Sequence, residues 1–226
     1  MLSMNNYIYI DAGNSRTKWK IQGRYYEIST SMFDFEKLPH TKKIWLSNVS
    51  SEFIINNDLD IFIVKSEANY KSLTNSYKEP HLLGSDRWLA MVALYELNQS
   101  KDFILIDIGT AITIDIVKKS GVHLGGLIFP GLAKIRGSFD IFPISFKEKI
   151  TGVGQSTEEG WSIGTLNLVV NTINYKIREL KNELPDAVIF LTGGGYSGVQ
   201  NFIDFNHHFY EHLVLDGLEL YADNVG

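Results

Sequence analysis

Cysteine is absent from all 226 residues. That excludes disulfides, thiolate nucleophiles, Cys-ligated zinc and iron–sulfur clusters, and it fits a reducing compartment better than a secreted one. Long apolar runs are missing as well: the longest, such as Phe103 to Ile106 and Ala187 to Leu191, fall far short of the ~18 residues that a membrane helix needs. The opening residues Met1-Leu2-Ser3-Met4-Asn5-Asn6 have no basic stretch ahead of an apolar core, so neither a leader nor a membrane association is expected. A basic excess is lacking too. The 21 Lys+Arg stand against 26 Asp+Glu, a net charge of −5, so nonspecific nucleic-acid binding is not expected. What remains is the ordinary globular balance, 44% apolar and 21% charged, in a chain long enough to bury a core as one large domain or two small ones. A cytoplasmic protein is expected.

An internal echo organises the chain. Tyr7-Ile8-Tyr9-Ile10 runs into Asp11-Ala12-Gly13-Asn14-Ser15-Arg16-Thr17, and Phe103-Ile104-Leu105-Ile106 runs into Asp107-Ile108-Gly109-Thr110-Ala111-Ile112-Thr113, so that Asp, Gly and Thr recur in register. In each copy an apolar strand ends at an aspartate, a glycine allows a tight turn, and a second strand follows, over 17–21 and 112–117. Third strands are expected over 25–28 and 122–129, and alternating strand and helix signals follow both. These are strands at 44–46 and 61–64 with a helix over about 86–95, then a helix over about 157–180, closed by Pro185, and a strand at 187–191. The helix over 86–95 should place Trp88, Leu89, Val92 and Tyr95 on one side. The expected fold class is α/β, as two similar domains over 1–100 and 101–226, meeting at a cleft because no low-complexity linker separates them.

Strand-ending aspartates beside glycine-bearing turns suit a nucleotide with its metal, since carboxylates hold Mg²⁺ and turn amides approach phosphate oxygens. Alone, Asp11 or Asp107 is explained equally well as a turn residue chosen for local hydrogen bonds; the repetition favours function. Between the copies lies Tyr77-Lys78-Glu79-Pro80-His81-Leu82-Leu83-Gly84-Ser85-Asp86-Arg87-Trp88, a loop entering a helix at Ser85 or Asp86. Asp86 either caps that helix or, kept ionised by the helix N-terminus, accepts a hydroxyl proton during phosphoryl transfer. Arg87 either grips a substrate carboxylate or solvates the helix surface.

Two further glycine clusters, Gly125-Gly126-Leu127-Ile128-Phe129-Pro130-Gly131 and Thr192-Gly193-Gly194-Gly195, are able to lend amides to anions but are also ordinary turn punctuation. Neither is a Walker sequence, and neither opens a strand–Gly-x-Gly-x-x-Gly–helix unit. His208-Phe209-Tyr210-Glu211-His212 matches the His-x-x-Glu-His order of inverted zinc proteases. The carboxylates after it, Asp216, Glu219 and Asp223, lie too close behind to serve as a remote third ligand, and a terminal helix that is solvated or partly packed explains these histidines better.

Together these residues resemble the type III pantothenate kinases, of the acetate and sugar kinase/Hsp70/actin superfamily, over nearly the whole chain. Asp11-x-Gly13-Asn14-Ser15-x-x-Lys18 is similar to the family's phosphate motif, and Tyr77-x-x-Pro80-x-x-Leu83-Gly84-x-Asp86-Arg87-Trp88 to its substrate and catalytic loop. Asp107-x-Gly109-Thr110-Ala111-x-Thr113-x-Asp115 and Gly125-Gly126-x-Ile128-x-Pro130-Gly131 resemble the paired motifs of its second domain, and Thr192-Gly193-Gly194 its nucleotide loop. Thr157, with Gly164 seven positions on, fits a further pattern at a helix start.

The resemblance implies two ribonuclease H-like domains in the actin-like ATPase architecture, and ATP-dependent phosphorylation of the primary hydroxyl of pantothenate, the first step towards coenzyme A. It also implies a homodimer with its substrate pocket near the subunit interface. Asp86 is then the general base. Asp11 helps to hold Mg²⁺. Gly13, Asn14, Ser15, Lys18, Thr110, Gly193 and Gly194 meet ATP, and Asp107 serves a metal or monovalent-cation site taking K⁺ or NH₄⁺. Tyr77, Gly84, Ser85 and Arg87 line the pantothenate pocket, with Thr157 reaching in from the partner subunit; pantothenate carries a carboxylate for Arg87. Rival readings are a catalytically idle regulatory homologue, and another small-molecule kinase or a phosphatase of the superfamily. The chain departs from the family pattern at Ser15, where Thr is usual, at Gly160, where Ala is usual, and at Gly195, where an Asp often stands.

Overall fold

A computed structural model describes residues 7–39, 43–55, 58–98, 100–139, 141 and 151–225. The elements of the first half are β1 (Tyr7–Ala12), β2 (Arg16–Ile21), β3 (Arg24–Ser29), β4 (Lys43–Asn48), β5 (Ile61–Val64), β6 (Asn69–Tyr70), β7 (Leu73–Thr74) and α1 (Ser85–Leu97). Those of the second are β8 (Phe103–Ile108), β9 (Ala111–Val117), β10 (His123–Pro130), α2 (Leu132–Arg136), α3 (Thr157–Glu183), β11 (Val188–Thr192), β12 (His208–Phe209) and α4 (Leu213–Val225). They gather into two compact units. The first is drawn from Met1–Ser100, Val117–Gly125 and His212–Gly226, the second from Lys101–Ile116 and Gly126–Glu211. Beyond the division near residue 100, the tip of the β9–β10 hairpin and the last helix thus return to the first unit.

In the first unit β1, β2 and β3 form an antiparallel meander, and β4 and β5 add in parallel beyond β1, giving the order β3-β2-β1-β4-β5. Gln22 (φ 48°) and Gly23 (φ 76°) supply the two left-handed residues of the β2–β3 turn. Strand β1 is covered on both faces, which is why it reads as a continuous apolar run. Ile8, Ile10 and Ala12 pack with Ile44, Leu46 and Phe53 on one side, while α4 packs against β1 from the other and α1 against the neighbouring β4.

Helix α1 is buried nearly all round, from Arg87 to Leu94, and not only along the side expected from its pattern. The reason is α4. At Gly217 the two helices approach so closely that a Cβ would fall 1.9 Å from the carbonyl oxygen of Leu89. Polar contacts fix α4 in place: Lys20 Nζ donates to Asp216 at 3.0 Å and to Glu219 at 2.7 Å, and Tyr25 donates to Asp216 and stacks on His212 with centroids 3.9 Å apart. Burial alone would lower the pKa of Lys20, but hydrogen bonds with Glu219, Tyr25 and Asp216 outweigh it and hold the ammonium above its ordinary range.

The second unit repeats the strand order as β10-β9-β8-β11-β12, with β11 parallel to both β8 and β12. Helix α3 lays Leu166, Val169, Val170, Ile173 and Ile177 on the sheet, the 3.6-residue spacing of a one-sided apolar face. It begins where its sequence provides a reciprocal cap. Ser156 Oγ accepts from Glu159 N at 3.1 Å, and the Glu159 carboxylate accepts from Gln155 N at 2.9 Å. It ends at Glu183, just ahead of Pro185.

The terminal helix expected for the His-x-x-Glu-His stretch does not include its histidines, because α4 starts only at Leu213. His208 lies on β12 of the second unit, and His212 stacks on Tyr25 in the first. Among the described residues no group of three or more His, Asp or Glu is placed to hold a metal, and no helix is long and apolar enough to cross a membrane.

Candidate active site

The duplicated strand order puts Asp11 and Asp107 in equivalent places, each near the end of the first strand of its sheet. In the parallel register Asp11 lies beside Ser47, and Asp107 beside Thr192. Asp11 also faces Lys18 across the β1–β2 hairpin, close enough for the two side chains to interact. Turn amides and hydroxyls follow. Gly13 N donates to Arg16 O at 3.0 Å, leaving Asn14 and Ser15 exposed. The turn is held from outside by Thr30, whose N donates to Ser15 O at 3.1 Å and whose hydroxyl donates to Gly13 O at 2.6 Å.

Ser47 ties Asp11 to the start of α1. Its Oγ lies 2.9 Å from Ser85 Oγ in a buried contact, and Ser66 Oγ donates to Leu83 O at 2.8 Å immediately upstream. The residue at the N-cap position is Gly84, with extended backbone and no side-chain cap; Asp86 therefore sits within the first turn instead of capping it. Its Oδ1 accepts from Arg87 N at 2.7 Å, one of the amides a helix start leaves without an intrahelical partner. Gly84 is tight here too, because a Cβ would fall 2.5 Å from Asp86 Oδ1.

Arg87, 6% exposed, turns back along the preceding loop. Its Nη1 donates to Tyr77 OH at 2.9 Å, with the guanidinium carbon 5.7 Å from the Tyr77 ring centroid. The loop is pinned by Asn75: its Oδ1 accepts from Tyr77 N at 3.0 Å, and its Nδ2 donates to Glu67 O and Pro80 O. Chemically, an arginine so placed is able to bind a carboxylate in bidentate fashion. The first unit thus links two groups that are far apart in the sequence, Asp11 and Lys18 on the β1–β2 hairpin and Tyr77, Ser85, Asp86 and Arg87 in the first turn of α1 and the loop before it, through Ser47.

In the second unit the glycines crowd Asp107 and the turn after it. Gly131 donates to Thr110 O at 2.9 Å, and a Cβ on it would fall 2.1 Å from Gly109 O. Gly193 has φ +97°, and a Cβ there would fall 2.3 Å from Asp107 Oδ1 and 2.5 Å from Ile108 O. The departure at Gly195 acquires a physical reason: a Cβ would fall 2.8 Å from Ile108 O, the atom to which Gly195 N donates at 2.7 Å. That amide is therefore engaged within the loop, leaving Gly193 and Gly194 to carry any anion contact. Thr157 is exposed, first in α3 after its cap. Gly193→Ala forces a side chain into a left-handed position against oxygen atoms and is expected to lower stability by about 1–2 kcal/mol. Chemical denaturation checks this.

Thr30, Ser47, Ser66 and His123 were not singled out from the sequence. The first three are small hydroxyl residues whose partners lie 13–38 positions away, and no local pattern marks them. His123, fully buried, had a signal, since a histidine two residues before a glycine pair in a strand is unusual core material.

Comparison with known proteins extends the geometry. A family model for type III pantothenate kinase matches residues 24–179. The chain is 31% identical over 236 residues to the type III pantothenate kinase of Hahella chejuensis, covering 96% of this chain and 97% of that one. It is 31% identical over 238 residues to that of Marinobacter nauticus, with 95% and 97% covered. Among solved structures it resembles a Campylobacter jejuni protein assigned to the Baf family of transcriptional activators, with TM-score 0.65 at 23% identity over 96% of this chain and 98% of that one. It also resembles the ADPNP-bound activator of 2-hydroxyisocaproyl-CoA dehydratase from Clostridium difficile, with TM-score 0.52 at 10% identity over 96% and 94%. At these identities the structural likeness carries the fold alone: two ribonuclease H-like sheets of the actin-like ATPase architecture.

Proposed function

We propose, from the premise that the chain belongs to the type III pantothenate kinase family, that it transfers the γ-phosphoryl group of ATP to the primary hydroxyl of pantothenate, yielding 4'-phosphopantothenate and ADP, the first step of coenzyme A biosynthesis. The observation that carries this reading is the grouping in the first unit. A carboxylate in the first turn of α1 stands next in sequence to an arginine clamped on Tyr77, and one serine contact away from the strand that flanks Asp11. Arg87 binds the pantothenate carboxylate, with Tyr77, Gly84 and Ser85 completing the pocket. Asp86 accepts the hydroxyl proton as that oxygen attacks the γ-phosphorus and the bond to the ADP oxygen breaks. Positioning supplies most of the rate.

Asn14, Ser15, Lys18 and the Gly13 turn in the first unit, and Thr110, Gly193 and Gly194 in the second, are assigned to ATP. The donors present fit Mg²⁺: Asp11 offers a carboxylate whose Oδ1 is buried, and this ion needs only one or two protein carboxylates beside phosphate oxygens and water. When bound, Mg²⁺ neutralises charge developing on the transferred phosphoryl group. Asp107, with the Ile108 carbonyl near the Gly193 backbone, offers the oxygen donors that a K⁺ or NH₄⁺ ion takes. We further assign a homodimer, in which the exposed Thr157 reaches the pantothenate pocket of a second copy, and a cytoplasmic location.

A coupled assay of ADP release tests the whole reading. Release is expected to depend on pantothenate and to rise on adding K⁺ or NH₄⁺. Release that ignores pantothenate points to another phosphotransferase or a phosphatase. No turnover despite bound ligands points to a regulatory homologue.

A further inference from the structure

We infer that His123 is a positioning residue for the pantothenate pocket: its buried imidazole holds the ring of Tyr77, and through it Arg87. The inference rests on the assignment of Tyr77 and Arg87 to pantothenate. His123 opens β10 at the tip of the β9–β10 hairpin, is 0% exposed, and belongs to the first unit.

Its place is set by the docking of that tip. Thr74 N donates to Gly121 O at 2.8 Å, and Thr74 and Val122 form a parallel bridge. Gly121 has φ +88°, and a Cβ there would fall 2.2 Å from Ser72 O, so the tip is seated on β7 without tolerance. Two residues on from this bridge the chain enters the loop bearing Tyr77. There the rings of His123 and Tyr77 stack, with an interplanar angle of 17° and centroids 6.2 Å apart. His123 Nδ1 lies 3.4 Å from Ser76 Oγ, a long contact by hydrogen-bond standards, and the flat ring lies against the Tyr77 ring.

The consequence for Arg87 is geometric. Its Nη1 donates to the hydroxyl of the ring that His123 supports. A bidentate carboxylate clamp tolerates little displacement, so a loosened Tyr77 weakens pantothenate binding while leaving the ATP residues of the β1–β2 hairpin untouched.

The test uses His123→Ala and His123→Phe in the full chain. Alanine is expected to raise the KM for pantothenate about tenfold, with kcat and the KM for ATP within about twofold. Phenylalanine, which keeps a flat ring, is expected to restore most of the loss. The Tyr77 ring resonances, assigned through Tyr77→Phe in ring-labelled protein, should lose their ring-current shift in the alanine variant and keep one in the phenylalanine variant. An unchanged pantothenate KM in His123→Ala overturns the inference. So does a parallel rise in both KM values without rescue by phenylalanine, which marks a merely structural role. Wild-type protein showing no pantothenate-dependent ADP release refutes the functional reading instead; the inference then stands or falls on the resonances, and unmoved Tyr77 signals in His123→Ala overturn it.

Discussion

Replacing Asp86 with asparagine is expected to lower kcat by about 10²–10⁴-fold, the usual contribution of a positioned general base, while pantothenate still binds. Asparagine keeps the size of the side chain and an oxygen able to accept from Arg87 N, as Asp86 Oδ1 does at 2.7 Å, so the first turn of α1 and the Arg87–Tyr77 pair should survive. What disappears is the negative charge that receives the proton in the proposed mechanism. That charge sits where a helix start favours it, among amides lacking intrahelical acceptors. Steady-state ADP release and calorimetric titration with pantothenate separate the two effects. Near-normal turnover in Asp86→Asn would move the base to another group, and loss of binding together with turnover would make Asp86 an organiser of the pocket.

Gly217→Ala is expected to be the most damaging of the single-methyl changes, at about 3 kcal/mol, because core overpacking against backbone finds no rotamer to retreat to. The added Cβ would lie 1.9 Å from the Leu89 carbonyl oxygen and 2.6 Å from its carbon. Relief requires α1 and α4 to separate, which exposes Trp88, Leu89 and Leu218, each fully buried. A fall in Tm of roughly 6–12 °C would follow for a chain of this size. Gly160→Ala provides the contrast. It lies within α3 with nothing inside 4 Å of the new Cβ, and the change should leave stability unaltered or raise it by about 0.5–1 kcal/mol. Thermal denaturation of both variants decides; equal melting points would show that the helix crossing yields easily.

The two proposals differ in how far they were legible in the amino acids alone. Asp11 and Asp107 announce themselves through the repeated Asp-x-Gly pattern, and their equivalence is matched by two sheets with the same strand order. Periodicity located the long elements well. Helix α3 runs over Thr157–Glu183 against an expected 157–180, and β5 covers Ile61–Val64 as expected. Helix α1 shows where such reading fails: its four marked apolar residues suggest one covered face, yet α4, some 120 positions later in the chain, covers the rest. Gly217 carries no local signal of its own, because a glycine inside a helix pattern reads as a weak spot until the neighbouring backbone is seen.

The same contrast separates the chemistry from its support. Strand ends, turns, caps and the family motifs depend on residues within a few positions of one another, so backbone preference and side-chain chemistry settle them from the sequence. The Ser47–Ser85 contact, the seating of Gly121 on Ser72, the His123–Tyr77 stack and the return of the last helix to the first unit join segments tens of residues or more apart. Only chain crossings in three dimensions bring those atoms within reach, because close packing depends on distance and shape, and sequence separation constrains neither.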